Sequence, residues 1–412
     1  MTFVSKFTMA AVLALGGPAL LATPALAQKK DAAEAAAPQL SKAEREALLP
    51  LQTAYDAGDF ATAKTAAAAA APVATGVDAK HFVAQYQYQI GLKTEDYKLQ
   101  ADALEALIAS PKSVQSEIPN MWSQVGTISF NYLRDYERAE RALTQKIALT
   151  PNDAESTSNL ARVKIQLKKR QEALPLIRKA IQLQTASGQK AQESWHKLAL
   201  ELAYSAKSPE SLAISRDLLV AYPTTQNWRD SLLIYRELGR PDSEAEIDTY
   251  RLMRASKSLG GKRDYLLYAD TVDRKGLPGE AKAVLEDGIG SRMLDGSEAD
   301  VKSFLTAASR RASEDRSTLN SEVGKAMSAA SGTPALGLGD ALLGYGDYAK
   351  AADLYRAAIQ KGGVDANVAN TRLGIALGLA GQKAEAETAF KAVTGARAEL
   401  ANYWLVWLAQ RA

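Results

Sequence analysis

From about residue 40 onward, apolar residues recur at three- and four-residue spacing in stretches of roughly a dozen. Short breaks at Gly, Pro, Asn or Asp separate the stretches, and no alternating period-two pattern intervenes. Amphipathic helices joined by tight turns are therefore expected throughout. The breaks are themselves periodic. Residues 344–362 read GYGDYAKAADLYRAAIQKG, and GQKAEAETAFKAV repeats the arrangement 35 residues later, matching Gly346 with Gly381, Ala351 with Ala386 and Tyr355 with Phe390.

Each copy has the logic of a helical hairpin. A glycine ends the first helix where a left-handed backbone is needed, an alanine opens the second where the two helices cross closely, and an aromatic lies one turn on. Gly339 and Gly374, seven residues before the turn glycines, supply small surfaces on the first helices.

Other stretches carry parts of the same pattern. They are Phe130, Tyr136, Ala139 and Pro151; Leu160, Ala161, Ala173 and Ala180; Trp195, Leu198, Ala199 and Pro223; Trp228, Tyr235 and Gly239; and Ala269, Gly276, Ala281, Leu285 and Gly288. Recurrence at 33 to 35 residues makes these spacings resemble the tetratricopeptide repeat (TPR). That resemblance implies an all-α fold, an α-solenoid of about ten TPR-like hairpins between Leu40 and Val393 with a capping helix at the C-terminus. The divisions expected are N-terminal degenerate hairpins over 41–118, central repeats over 119–293, a helical segment without the hairpin signature over 294–334, C-terminal repeats over 335–396 and a capping helix over 397–412. In that helix Leu400, Trp404, Trp407 and Leu408 make one apolar face, while Tyr403, Leu405 and Val406 widen it enough to suit a partner or a membrane surface as well. A stack of this kind stabilises each hairpin only against its neighbours and has no single centre.

The N-terminus changes the picture. Lys6, an uncharged run from Phe7 to Ala27, and small residues Ala25 and Ala27 form the pattern of a cleaved secretory signal over 1–27, with cleavage after Ala27. Gly16, Gly17, Pro18 and Pro24 weaken the rival reading of a membrane anchor. Residues 28–40 are a polar, alanine-rich tether. The expectation is a periplasmic protein with no integral membrane span after cleavage.

Composition narrows the chemistry. There is no cysteine, which excludes disulfides, thiolate metal sites and lipid attachment at a cysteine. The formal charge is +3, and removing Lys6 with the leader leaves +2, too balanced for a nucleic-acid footprint. His81 and His196 are the only histidines and fall in separate repeats; His196 follows Trp195 and is read as an exposed groove residue. GLGDALLGYG at 337–346 lacks phosphate-loop spacing, and the carboxylates of DSEAEID at 242–248 are read as helix-start caps. No catalytic residue, cofactor or metal site is expected, so the chain is read as no enzyme.

What the repeat resemblance does imply is a peptide-binding groove on the first helices. It places Gln124, Asn131, Asn159, Arg162, His196, Arg229, Arg236 and Arg263 there, amides and cations suited to backbone and carboxylate recognition. Residues 192–290 are similar to envelope repeat proteins that accompany TonB-type systems in Gram-negative bacteria. The expected function is thus a non-enzymatic scaffold whose partners are envelope proteins, TonB-system components among them. The alternatives are a scaffold for outer-membrane assembly or polysaccharide export, and the helical platform of a cell-wall enzyme.

Overall fold

The structure, a computed structural model, describes residues 38–411, the side chain of Asn320 excepted. The expected signal segment 1–27 and the tether as far as residue 37 lie outside the described residues. Among the described residues all regular structure is helical, in two compact units that divide between Lys168 and Lys169.

The first unit contains α1 (Lys42–Asp56), α2 (Phe60–Ala70), α3 (Val77–Thr94), α4 (Tyr97–Ala109), α5 (Ile118–Ile128), α6 (Tyr136–Leu149) and α7 (Ala154–Gln166). α1 and α2, α3 and α4, and α5 and α6 pair as hairpins. Side-chain caps fix where the helices begin. Ser41 and Glu44 close a reciprocal capping box at the head of α1, and Asp59, Asp96 and Asp135 each accept the backbone N–H three residues on. Before each of these aspartates stands a left-handed residue, Gly58 (φ +76°), Glu95 (φ +53°) and Arg134 (φ +57°). Only the first is the expected glycine; the other two hold the conformation at a cost of about 1 to 2 kcal/mol. The core is made of local patches, one from Leu48 to Ile90 and another from Ala84 to Ala142.

The second unit contains α8 (Arg170–Ala186), α9 (Glu193–Ser205), α10 (Glu210–Ala221), α11 (Thr225–Leu238), α12 (Ser243–Ala255), α13 (Gly261–Arg274) and α14 (Pro278–Gly290). It continues with α15 (Ala299–Ser328), α16 (Thr333–Gly344), α17 (Tyr348–Lys361), α18 (Ala366–Leu379), α19 (Lys383–Lys391) and α20 (Ala398–Ala409). The segment without the hairpin signature is α15, one continuous helix of 30 residues. Helices pair in sequence order within each unit, the hairpin stacking of an all-α solenoid. Side-chain bonds stitch one repeat to the next at matching separations: Asn227 donates to Glu193, 34 residues back, and Arg254 to Asp287, 33 ahead.

The small-residue crossings are tight. A Cβ added at Gly339 would stand 2.8 Å from the Tyr355 ring, and one at Gly374 would stand 2.6 Å from the Phe390 ring. Ala351 and Ala386 are fully buried. The two turn glycines, Gly346 and Gly381, have φ of +81° and +80°.

One expectation fails. The second unit does have a centre: a single contiguous core runs from Leu212 to Leu408. Its cause is α20, which packs on α19 and α18 and also on α10 and α12. The wide apolar face of 397–412 is thereby filled from several sides, with Leu400, Tyr403, Trp404, Trp407 and Leu408 all buried. Among the described residues no helix is long and apolar enough to cross a membrane.

Because Phe390 is buried and stacked on Trp404 at 5.9 Å, it cannot yield to a side chain at position 374. Gly374→Val is expected to lower stability by about 1 to 3 kcal/mol in urea denaturation, and an unchanged midpoint would refute this crossing.

Candidate functional site

The eight expected groove residues divide between the units. Gln124, Asn131, Asn159 and Arg162 belong to the first. Gln124 is exposed on α5, where its side-chain oxygen accepts the Tyr88 hydroxyl at 2.5 Å. Asn131 is exposed in a short π-helical turn (Ser129–Leu133), and Arg162 lies over the Phe130 ring at 5.3 Å. Asn159 is half-buried on α7.

In the second unit the expectation needs correction. His196 is not an exposed groove residue; it is 7% exposed, edge-on to Tyr222, and burial holds its imidazole below the ordinary pKa. Arg229 reaches forward to Asp264 and the Ser258 carbonyl, while Arg236 pairs with Glu246 and donates to the Tyr250 hydroxyl. Both guanidinium groups bind α11 to a neighbouring helix, Arg229 to α13 and Arg236 to α12. The reason is geometric: an arginine on α11 is long enough to bridge to either. Of the four expected groove residues in this unit Arg263 alone is exposed, on α13 one turn from the exposed Leu267.

A different set of charges comes together. The network ties α12 to α14 and α18 by ion pairs, to α16 through Arg372 and to the turn before α20, and α12 is buried from Ala245 through Met253 except at Glu246. Asp248, fully buried on α12, accepts from Arg251 at 2.8 Å, from Arg372 at 3.4 Å and from Arg397. Arg251 meets Glu280 through two parallel bonds of 2.9 and 2.6 Å, and Glu280 also accepts the Tyr268 hydroxyl at 2.5 Å. Arg372 donates to Asp340 at 2.6 Å and Glu244 at 2.5 Å; Tyr355 donates to Asp340 at 2.7 Å, and Lys275 to Glu244 at 2.5 Å. Four cations (Arg251, Arg372, Arg397, Lys275) thus face four carboxylates (Asp248, Glu280, Asp340, Glu244).

Burial opposes ionisation, and pairing outweighs it at Arg251 and Glu244 but not at Asp340. Desolvation would lower Arg251, but Glu280 and Asp248 hold it well above its ordinary pKa. Desolvation would raise Glu244, but Lys275 and Arg372 bring it to about 2. At Asp340 desolvation wins and its pKa is raised despite Arg372.

The mouth of this network opens into a cleft of about 620 Å³ between α12, α15, α16 and α18. Ile247, Leu277, Leu319 and Leu338 give it apolar walls, and Glu244, Asp340 and Arg372 lie at its base. Asp315, Glu322 and Lys325 of α15 line another side. Among the described residues, no group of three or more His, Asp or Glu side chains is placed to hold a metal ion.

These residues escaped the sequence reading. Asp242 does cap α12, as DSEAEID led one to expect, but Glu244 and Asp248 turn inward instead. The available signal lay elsewhere: Asp340 and Arg372 are isolated charges within otherwise apolar, glycine- and alanine-rich helices, where a charge demands a buried partner.

No family model matches the chain, and no curated protein matches it in sequence. Among solved structures it is similar to the Cut9–Hcn1 hetero-tetramer of the APC/C (14% identity, 80% of this chain and 67% of that one, TM-score 0.26). It is also similar to a tetratricopeptide repeat protein from Parabacteroides merdae ATCC 43184 (13%, 82% and 100%, TM-score 0.24) and to the apo form of RapI (13%, 77% and 97%, TM-score 0.25). At these scores the fold assignment rests on the helix pairing described above.

Asp248→Ala removes the shared acceptor and leaves three buried guanidinium groups short of a partner, so a loss of about 3 to 5 kcal/mol is expected in urea denaturation. A loss below about 1 kcal/mol would show the network to be slack. Glu244 predicts a pH dependence. Its pKa is depressed from 4.5 to about 2, so its contribution is complete above pH 4.5 and is lost as pH falls toward 2. Asp340, raised in the fold, runs the opposite way. Thermal melts followed by tryptophan fluorescence should therefore fall less steeply with acid in Glu244→Gln than in the unaltered chain, and superimposable slopes would remove Glu244 from the network.

Proposed function

We propose that this protein is a non-catalytic scaffold that holds partner proteins in a complex of the cell envelope, that it works in the periplasm after loss of residues 1–27, and that its partners include components of a TonB-type system. The observation that carries the scaffold reading is the cleft of the second unit. It combines apolar walls, a base of charges already paired with one another, and a volume of about 620 Å³. A base whose charges are internally paired does not need a charged ligand, and a partner segment gains chiefly by covering the half-buried Leu277 and Leu338. The leader pattern of residues 1–27 supports the compartment, and the similarity of residues 192–290 to envelope repeat proteins supports the TonB-type partner.

The test is capture of the C-terminally tagged protein from its native envelope after mild cross-linking, with partners identified by mass spectrometry. Enrichment of TonB-system components supports the full reading; enrichment of assembly or export components supports the scaffold and moves its address. Gly337 gives the control. It lines the cleft, and a Cβ added there meets nothing within 4 Å. Gly337→Trp should fill the cleft without disturbing the helix, reducing recovery of the specific partner at least tenfold with an unaltered circular dichroism spectrum and melting point. Undiminished recovery would place binding elsewhere.

A further inference from the structure

The chain's last helix sits on its unit in the manner of a bound ligand. α20 is reached through Thr394 and Gly395, the latter at φ +64°, and it then docks on helices that precede it by some 180 residues. Tyr403 carries the contact. Its hydroxyl shares a hydrogen bond with Ser215 of α10 at 2.5 Å and donates to the Leu212 carbonyl at 3.3 Å, while its ring lies 5.6 Å from Tyr235 and under the Arg216 guanidinium at 5.5 Å. Arg216 also pairs with Glu399. At the other end Gln410 donates to the Leu219 carbonyl at 2.9 Å and accepts from Trp228 Nε1 at 3.3 Å.

The seat is built from side chains and carbonyls of α10 and α11, with Trp228, Leu232 and Tyr235 in one row along α11 and Leu212, Ser215 and Leu219 in another along α10. Two neighbouring helices that present an apolar row beside carbonyl acceptors with a lone pair to spare recognise an amphipathic helix with aromatic residues and a polar fringe. The fit is incomplete. At the seat Ser231 Oγ, one turn from Trp228 and Tyr235, is buried without a hydrogen-bond partner, and where α20 and the turn before it meet α19 and α12 so are Trp404 Nε1 and Arg397 Nε. Unsatisfied buried donors weaken a closed joint relative to the open one, in which water reaches them.

We propose that the α10–α11 face of the second unit is a helix-receiving site, that α20 is its resident occupant, and that the site exchanges α20 for a partner helix of the same chemistry: amphipathic, aromatic at the positions of Tyr403 and Trp407, acidic at that of Glu399 and with an amide at that of Gln410. This site is separate from the cleft between α12, α15 and α16, and Gly337→Trp does not touch it. α20 sets the threshold for occupancy, because a partner must displace a helix held at the high effective concentration of a covalent tether. Release also exposes Trp404, Trp407 and Leu400, an apolar face available to the incoming complex.

Two measurements on the full chain test this. In hydrogen exchange of the unaltered protein, amides of α20 should exchange at least tenfold faster than those of α18, reporting local opening of the joint; equal protection of the two helices would overturn the proposal. The second uses a fluorescent synthetic peptide of residues 397–412 and the full chain carrying Tyr403→Phe and Glu399→Lys, changes that weaken the resident helix while keeping its apolar face. The peptide should bind this chain at least tenfold more tightly than the unaltered one, and adding Ser215→Arg should abolish the gain. Binding no tighter than to the unaltered chain, or binding indifferent to Ser215→Arg, would overturn the proposal.

Discussion

Asp248 is the constraint around which the second unit is organised. A carboxylate with no solvent exposure is tolerable only with cations at hand, and it receives three, from α12 itself, from α18 and from the turn before α20. Each of those arginines must then satisfy its remaining N–H groups, and Arg251 does so on α14 and Arg372 on α16. The paired charges therefore specify which helices meet at α12 and in what register. Apolar packing alone would allow the stack to slide by a turn at small cost; a fork-shaped guanidinium against a carboxylate does not.

This hub separates two ways of building with hairpins. In the first unit, caps and left-handed turn residues repeat and the core consists of neighbouring patches, so order is passed along the chain one hairpin at a time. In the second, α12 and α20 tie residues more than a hundred positions apart, and the core is continuous. Such long-range closure costs loop entropy, and it is offset by the buried aromatic surface of Tyr403, Trp404 and Trp407 together with the ion network.

The functional surfaces follow from that closure. Where an open hairpin stack would present the face of α18 to a peptide, this chain lays its own α12 against it, and what is left open is the cleft beside α15 and α16. Likewise the face of α10 and α11 is not vacant but holds α20. Both candidate sites are thus remainders of internal contacts, and the arginines at groove positions, Arg229 and Arg236, likewise bind the fold rather than await a partner.

The helices and their turns were legible from local residue placement. Three- and four-residue periodicity and the glycine, aspartate and alanine placements of GYGDYAKAADLYRAAI and GQKAEAETAF announced helices, turns and close crossings, because these depend on residues within one hairpin. Tertiary structure alone decided the centre. Nothing local to DSEAEID tells that Asp242 caps a helix while Asp248, six residues on, meets Arg372 and Arg397, since the partner of a buried charge is chosen by whichever helices the chain brings back to it. For the same reason the face of 397–412 was legible as apolar, yet its seat on Ser215, Trp228 and Tyr235 was not: amphipathicity records that a helix is covered, and only the folded chain says by what.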